Sequence, residues 1–290
     1  MDSLLLFSQI YPIWSAVLVL VLGMLIGSFL NVVIYRFPIM KERAWQREAR
    51  TVLELPEPET SEPTFNLVLP ASTCPHCDHR IRARENIPLL SYLWLRGKCS
   101  NCDARISARY PAIEVATGLL TLLAVQLIGY NSAGLLAAIL VWVLIAASMI
   151  DFDTMYLWDE FTLPLLWLGL AINFFAVFTT LEDAVLGAMV GYLSLWSIFH
   201  VFRLLTGKEG FGYGDFKLLA AFGAWLGWQA VPLIIILSSL VGAVVGGGLI
   251  LLGRERGKPM AFGPYLAIAG VIALLWGDDI THAYLQYIGQ

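Results

Sequence analysis

The chain has 290 residues, of which 58% are hydrophobic and only 14% charged, and its mean hydropathy is +0.73. Soluble domains carry roughly 25% charged residues and could not bury this much apolar surface, so an ordinary soluble fold is excluded. A net charge of −4 excludes a nucleic-acid-binding protein that depends on phosphate neutralisation, and four cysteines confined to positions 74–102 exclude a disulfide-dense secreted scaffold. The composition predicts an all-α polytopic membrane protein with one small polar insert.

The basic residues fall in three parts of the chain. Of 18 lysines and arginines, twelve lie between positions 36 and 109, three between 203 and 217, and three between 254 and 258. Loops on the cytoplasmic side of a membrane are enriched in lysine and arginine, so all three windows are predicted to face the cytoplasm. The apolar segments between them are predicted to cross the membrane or to lie outside.

Eight transmembrane segments are predicted in chain order, because a spanning helix needs about 20 mostly apolar residues. They cover roughly 12–34, 111–129, 133–150, 161–179, 184–203, two arms within 218–253, and 262–277. The run at 218–253 is short for two spans, so its first arm (218–228) is predicted to be a half-helix or a re-entrant segment. No basic residue precedes the first segment, which is predicted to be an uncleaved anchor. Both termini are then outside, and the chain divides into a first transmembrane helix at 1–34, a cytoplasmic insert at 35–110 and a transmembrane bundle at 111–290.

Glycines recur at GxxxG spacing within the apolar segments. The pairs are Gly23/Gly27, Gly187/Gly191, Gly223/Gly227 and Gly242/Gly246. This spacing lets helix backbones approach closely, so it predicts tight packing of the bundle and no chemistry.

The insert contains the clearest metal-binding pattern. A helix is predicted at 40–55 from its strong helix formers, and a linker at 55–64 from its prolines and glutamates. Two Cys-x-x-Cys pairs, Cys74/Cys77 and Cys99/Cys102, follow with 21 residues between them. Each pair aims two thiolates at one point, and two such pairs complete a tetrahedral four-sulfur zinc site.

Two disulfides or a redox pair are the alternatives for these cysteines. A cytoplasmic location disfavours structural disulfides, and no thioredoxin-like βαβ pattern surrounds the pairs. With four protein thiolates on the metal, no position stays open for a substrate, so the zinc is predicted to be structural and to help fold the insert. His76 and His79 are predicted to be bystanders.

Two aspartates border apolar segments. Asp151 directly follows the run 133–150, and Asp215 precedes the run that begins at Leu218. The charge map places both at the cytoplasmic membrane face, where ionisable groups are costly and are functional candidates. Two close carboxyl groups share one proton, so one can activate a water while the other protonates the nitrogen of a breaking peptide bond. The glycines at 212 and 214 would let an extended peptide approach closely.

Other carboxylates have simpler explanations. Asp153 lies two residues from Asp151 and therefore not on the same helix face, and Asp159 and Glu160 are placed to cap the next helix. Glu114 is expected to cap its own helix. Interfacial carboxylates without chemistry are an alternative for the two candidates as well, because spacing along a chain does not prove contact.

Motifs of several other enzyme classes are missing. The sequence has no HExxH, no GxSxG, no Walker A and no GxGxxG motif. The residues then leave three function classes: an aspartic endopeptidase of the membrane, a proton-coupled transporter that uses the same carboxylates, and a zinc-bearing scaffold. Transporters usually contain internal repeats, and no convincing repeat is visible in this sequence.

Several segments, taken together and in this order, carry a family resemblance. They are GSFLNVVIYRFP (27–38), the double Cys-x-x-Cys, ENIP (85–88), RYPAIE (109–114), Ile150–Asp151, TLPLLWLGL (162–170), GFGYGDFKLL (210–219) and FGPY (262–265). In these segments the chain resembles the bacterial type IV prepilin peptidases, also called leader peptidase/N-methyltransferases, which are GxGD-type membrane aspartic proteases. The resemblance covers nearly the whole chain.

The resemblance implies that Asp151 and Asp215 are the catalytic aspartates. It implies that the substrates are prepilins and pseudopilins of type IV pili and type II secretion, with a short basic leader in the cytoplasm before an apolar membrane helix. Cleavage would follow a glycine at that boundary, and the new N-terminal amine, usually of phenylalanine, would be methylated with S-adenosylmethionine. The expected location is the bacterial inner membrane, with the active site facing the cytoplasm. The methyl-donor site is not assigned, and Glu85, Asn86 and the segment 31–36 are only candidates.

Overall fold

The computed structural model describes residues 2–55, 64–207, 212–253 and 260–289. Most of the predicted linker at 55–64, Lys208 and the basic window at 254–258 therefore lie outside the described residues. The chain packs as two compact units, residues 1–123 and 124–290. The division at positions 34 and 110 stays a prediction.

The first unit is built on one long helix. Helix α1 covers Asp2–Ile10, and helix α2 runs without a break over Pro12–Val52, a length of 41 residues. The sequence predicted two helices there, at 12–34 and 40–55. The predicted break is wrong, because strong helix formers follow Pro38 and the proline removes only the one hydrogen bond that its missing N–H would have made.

Three further helical elements follow in the insert and beyond it. They are a 3₁₀ turn at Ala83–Asn86, the short helix α3 at Leu90–Trp94 and the helix α4 at Arg109–Ile128. Helices α2 and α4 pack closely, since a Cβ on Gly23 would lie 2.8 Å from Gly118 Cα and a Cβ on Gly27 would lie 2.8 Å from Glu114 Cα. The close packing predicted for this glycine pair is confirmed.

The second unit is a helical bundle. Its described helices are α5 (Ser132–Thr154), α6 (Asp159–Asn173), α7 (Leu181–Thr206), α8 (Tyr213–Leu226), α9 (Ala230–Leu251) and α10 (Gly263–Tyr287). Across the described residues of the whole chain, α2, α4, α5, α7, α9 and α10 are long and apolar enough to cross a membrane. Helices α6 and α8, with 15 and 14 residues, are too short for a full span. These eight helices correspond to the eight predicted segments, and the class of all-helical, multi-span membrane protein is confirmed.

Helix α8 is the half-helix that the sequence predicted, and it is the central helix of the second unit. It ends at Leu226 and is followed by the C-cap residue Gly227, whose φ of 83° is strained for any residue with a side chain. Gly187 of α7 lies against Gly223 of α8, and a Cβ on Gly191 would lie 2.6 Å from Leu219 O. The fully buried side chains of α8 include Phe216, Leu218, Leu219, Phe222 and Trp225. A helix packed this tightly holds its first turn in a fixed position.

Asn173 explains why α6 is shorter than the predicted segment 161–179. Its buried side chain donates from Nδ2 to the carbonyl oxygens of Ala224 and Trp225 at 2.8 and 2.9 Å. Its Oδ1 accepts hydrogen bonds from the N–H groups of Phe178 and Thr179. The helix therefore ends at Asn173, because that side chain bonds both the end of α8 and the turn that leads to α7.

Candidate active site and metal centre

Asp151 lies in the last turn of α5 and is held by the start of another helix. Its side chain is only 4% exposed, and Oδ2 accepts a hydrogen bond from the backbone N–H of Gly263 at 3.0 Å. Gly263 is the first residue of α10, so its N–H is one of the donors that a helix leaves without an internal partner. A Cβ on Gly263 would lie 2.5 Å from the same carboxylate oxygen, so the close approach requires glycine.

Asp215 lies in the first turn of the buried helix α8. Its Oδ2 accepts a hydrogen bond from the backbone N–H of Gly212 at 3.0 Å, and its own N–H donates to Gly212 O at 3.1 Å. The residue is 6% exposed, and the positive end of the helix dipole favours a carboxylate at this position. The Gly-Tyr-Gly-Asp segment thus forms a tight turn that fixes the carboxyl group.

The structure brings the two predicted aspartates together. Leu157 links the two positions: its Cδ1 would lie 3.6 Å from a Cβ on Gly263, and its carbonyl oxygen 2.6 Å from a Cβ on Gly214. Gly263, which bonds Asp151, and Gly214, which precedes Asp215, therefore both leave room for Leu157.

The arrangement leaves one oxygen of each carboxyl group available. Each Oδ2 is used by a backbone N–H, and within the described ranges neither Oδ1 has a hydrogen-bond partner. A buried pair of this kind can take up a water and a peptide carbonyl between the free oxygens, and it can pass a proton from one carboxyl group to the other.

The neighbouring acidic residues have other positions. Asp153 is exposed two residues beyond Asp151. Asp159 lies in the first turn of α6, but the residue at the N-cap is Trp158 and no side chain caps the helix, so the predicted capping by Asp159 is wrong. Its two oxygens lie 2.6 and 2.7 Å from Lys217 Nζ instead. This ion pair ties the start of α6 to the turn of α8 that follows Asp215.

The four cysteines form one cluster. All four sulfur atoms lie within 4.8 Å of one another, with Cys74 Sγ 3.8 Å from Cys102 Sγ and Cys77 Sγ 4.0 Å from Cys99 Sγ. Tetrahedral zinc with Zn–S bonds of about 2.3 Å needs sulfur atoms about 3.8 Å apart, whereas a disulfide needs about 2.05 Å. The cysteines are free thiols, and their spacing fits a zinc ion rather than two disulfides.

The two cysteine turns, 74–80 and 99–105, share one backbone design. In each, the N–H of the first cysteine donates to the carbonyl five positions later, at 2.9 Å. The aspartate after the second cysteine adopts a left-handed conformation in both, with φ of 54° at Asp78 and 58° at Asp103. This local repeat was not predicted, although the shared pattern Cys-x-x-Cys-Asp-x-Arg is visible in the sequence.

Cys77 has a hydrogen bond that suits a metal ligand. Asn101 Nδ2 lies 3.6 Å from its sulfur, and this amide is the main reason why the pKa of the Cys77 thiol falls to about 7. Zinc binds the thiolate, so a lowered pKa favours the binding form. Neither His76 nor His79 belongs to the cluster, and His79 Nε2 instead lies 3.4 Å from Glu85 Oε2.

Glu85 joins the two cysteine turns. Its Oε2 accepts a hydrogen bond from the N–H of Arg82, and its Oε1 accepts one from the hydroxyl of Ser100, both at 2.9 Å. The N–H of Arg82, followed by the Ser100 hydroxyl, holds the pKa of Glu85 below its usual value. Glu85 was a candidate for binding the methyl donor, and its hydrogen bonds show a role in holding the insert together.

Glu114 does not cap α4, and that prediction is wrong. It is the sixth residue of the helix, beyond the reach of the first free N–H groups. The side chain is 8% exposed, and Oε2 accepts a hydrogen bond from the N–H of Leu89 at 2.8 Å. A backbone donor from the insert therefore satisfies this buried carboxylate.

The segment 31–36, a further candidate for the methyl donor, also makes structural contacts. Asn31 Nδ2 donates to Tyr110 O at 3.1 Å. The guanidinium of Arg36, only 6% exposed, donates to Asn66 O at 2.9 Å and to Pro70 O at 2.7 Å. These side chains fasten α2 to the insert and to α4.

The chain is similar to characterised protein families over most of its length. A model of the bacterial Peptidase A24 N-terminal domain matches residues 21–128, and a model of the type IV leader peptidase family matches residues 138–247. A protein of Aeromonas hydrophila named prepilin leader peptidase/N-methyltransferase is 58% identical over 92% of this chain and 93% of its own length. Proteins of the same name from Stutzerimonas stutzeri and Pseudomonas aeruginosa are 58% and 56% identical, over 95% and 96% of this chain and 96% of each relative. No solved structure matches the chain.

Proposed function

The chain belongs to the type IV leader peptidase family, and on this premise we propose that it cleaves the leader peptides of type IV prepilins and pseudopilins and then methylates the new N-terminal amine. It is an enzyme with two activities, a peptidase that is also an N-methyltransferase. The family supports neither the transporter nor the scaffold that the residues alone had left open.

The paired carboxyl groups of Asp151 and Asp215 carry the proposal for peptide cleavage. One carboxylate takes a proton from a water as the water oxygen attacks the carbonyl carbon of the scissile bond. The other carboxyl group gives its proton to the nitrogen as the carbon–nitrogen bond breaks. The pair again holds one proton afterwards, so the cycle balances. The N–H groups of Gly212 and Gly263 orient the two side chains throughout.

The depth of the pair agrees with a substrate cut at a membrane boundary. Asp151 lies three residues before the end of the spanning helix α5, and Asp215 lies in the first turn of α8. Basic residues occur at 203–217, next to this end of the bundle in sequence, which favours the cytoplasmic side. We therefore place the active site at the cytoplasmic face of the bacterial inner membrane, where a basic leader meets an apolar helix.

The cysteine cluster is proposed to hold a structural zinc ion. Four thiolates from Cys74, Cys77, Cys99 and Cys102 would fill its coordination shell. The ion would supply folding energy to an insert with little regular structure, and it would leave no position for a substrate.

The methyl group is proposed to come from S-adenosylmethionine, the donor that the N-methyltransferase name implies. The donor's chemistry is a transfer of an activated methyl group to an amine. The side chains of Glu85, Asn31 and Arg36 all have hydrogen-bond partners within the protein. Because these partners account for the positions of the three side chains, we assign the methyl donor to no residue.

One experiment tests both activities. The purified full chain, in nanodiscs, is incubated with a prepilin and isotopically labelled S-adenosylmethionine, and the intact products are weighed by mass spectrometry. We expect loss of the leader and gain of one labelled methyl group on the new N-terminus. Without the donor, cleavage should continue and the label should be absent. An intact prepilin in both samples would contradict the proposal.

Gly263→Ala should slow cleavage although it removes no carboxyl group. The added Cβ would meet Asp151 Oδ2 at 2.5 Å and push the carboxyl group out of line, and a misplacement near 1 Å costs roughly a hundredfold in rate. Cleavage rates in nanodiscs measure the effect. Gly277→Ala on the same helix is the matched control, since its Cβ would have ordinary contacts at 3.9 and 4.0 Å. Equal rates for the two variants would show that Gly263 does not position Asp151.

A further inference from the structure

Helix α3 presents an apolar face that no described residue covers. Leu90, Leu93 and Trp94 are 63%, 61% and 78% exposed. Residues at positions i, i+3 and i+4 lie on one side of a helix, so the three side chains form a single surface. Tyr92 faces the other way, because a Cβ on Gly97 would lie 2.9 Å from its hydroxyl oxygen. The short helix therefore turns these three apolar side chains outward.

The start of α3 is fixed at the level of a membrane-spanning helix. Leu89, which directly precedes α3, donates its N–H to Glu114 of α4 at 2.8 Å. Glu114 lies five residues into α4 after Arg109, or about 7.5 Å along the helix axis. Because α4 is long and apolar enough to span a membrane, its first turns lie where water meets lipid. Leucine and tryptophan side chains are favourable at that depth of a membrane.

The residues that follow α3 have the charge that a lipid surface attracts. Arg96 and Lys98 are both exposed. Residues 64–110 carry seven lysines and arginines against three aspartates and glutamates. Each basic residue near an anionic bilayer strengthens binding roughly fivefold. In a bilayer the lipid phosphates lie just outside the acyl chains. An apolar face that is followed directly by basic side chains has the same order of apolar and charged groups.

We propose that α3 is an interfacial anchor that docks the zinc-binding insert on anionic lipid. Leu90, Leu93 and Trp94 enter the boundary between headgroups and acyl chains, and Arg96 and Lys98 bind the lipid phosphates. The partner is the bilayer surface itself and not a second protein. This proposal depends on the chain being a membrane protein and not on its peptidase or methyltransferase activity.

Photocrosslinking identifies what the apolar face touches. The full chain with Trp94→p-benzoylphenylalanine is placed in phosphatidylglycerol nanodiscs, irradiated and analysed by mass spectrometry for lipid and protein adducts. The matched control carries the same probe at the exposed Ala83, on the 3₁₀ turn. We expect lipid adducts at position 94 in several-fold excess over position 83. The same probe at Leu93 replaces the first variant if that variant loses zinc.

Charge reversal tests the second half of the proposal. Arg96→Glu with Lys98→Glu should lower the yield of lipid adducts in phosphatidylglycerol nanodiscs by roughly fivefold or more and have little effect in phosphatidylcholine nanodiscs. Arg82→Glu with Arg84→Glu makes the same change in charge on two exposed side chains outside both cysteine turns and should leave the yield near that of the parent. Crosslinks to protein alone, equal lipid adducts at positions 94 and 83, or an unchanged yield in the variant Arg96→Glu with Lys98→Glu would overturn the anchor.

Discussion

Asp151→Asn and Asp215→Asn should each abolish leader cleavage while the protein stays folded in the membrane. Asparagine has nearly the same shape and can still accept the hydrogen bond from Gly263 or Gly212, so the packing around it is preserved. It can neither take nor release the proton that hydrolysis requires. Loss of one acid–base group costs roughly 10²–10⁴-fold, and because hydrolysis by the proposed pair needs one base and one acid, neither carboxyl group can compensate for the other. Single-turnover cleavage of a prepilin, resolved by mass, measures the loss.

Asp153→Asn is the matched control for these two variants. It makes the same chemical change two residues from Asp151, but on an exposed side chain, and should retain most of the activity. A pilin supplied without its leader should still be methylated by all three variants, which would show that the protein is folded. Full cleavage by both Asp151→Asn and Asp215→Asn would remove the aspartate pair from the mechanism.

The second large effect is expected at the cysteine cluster. Replacing any of the four cysteines, for example Cys74→Ser, should reduce bound zinc from one ion per chain to none, because three thiolates leave the tetrahedral site incomplete. Structural zinc contributes roughly 10–16 kcal/mol of apparent binding energy in small domains, so its loss should unfold the insert. Elemental analysis gives the metal content, and hydrogen exchange across residues 73–106 gives the state of the insert.

His76→Ala is the control for the zinc prediction. It changes a possible metal ligand inside the first cysteine turn, yet the cluster consists of the four cysteines without it. It should therefore keep one zinc ion and a protected insert. Unaltered metal content in Cys74→Ser would exclude the four-thiolate site, and zinc loss in His76→Ala would mean that the histidine is a ligand.

Composition and the spacing of apolar residues were enough to predict the helices of the membrane region, because the lipid environment requires long apolar helices whatever their partners are. The ends of the helices depended on contacts that hydropathy cannot register. The segment 161–179 is uniformly apolar enough for one helix, but Asn173 stops it by bonding to Ala224 and Trp225, more than fifty positions away. The break predicted near Pro38 was wrong for the opposite reason. The residues on both sides of the proline favour a helix strongly enough for α2 to continue through it.

The candidate site residues are easier to find in the sequence than the contacts that hold them. Asp151 and Asp215 stand out in sequence because charge is rare next to an apolar run, and the cysteines stand out by their spacing. That Gly263 would donate to Asp151 from 112 positions away follows from the packing of α10 and cannot be derived from spacing. The prediction that Glu114 caps its own helix was wrong for the same reason. Its partner, the N–H of Leu89, lies in a loop with no periodic pattern.

The matching pair of cysteine turns has a consequence for the stretch between them. Residues 78–98 form a loop whose two ends would be joined by a single shared ion. Closing a loop in advance removes part of the conformational freedom that the loop would otherwise lose on binding a surface. Since α3 lies within this loop, the metal would lower the entropic cost of placing Trp94 in lipid. A chelator should then weaken the binding of this segment to the bilayer, even though every side chain that touches lipid is unchanged.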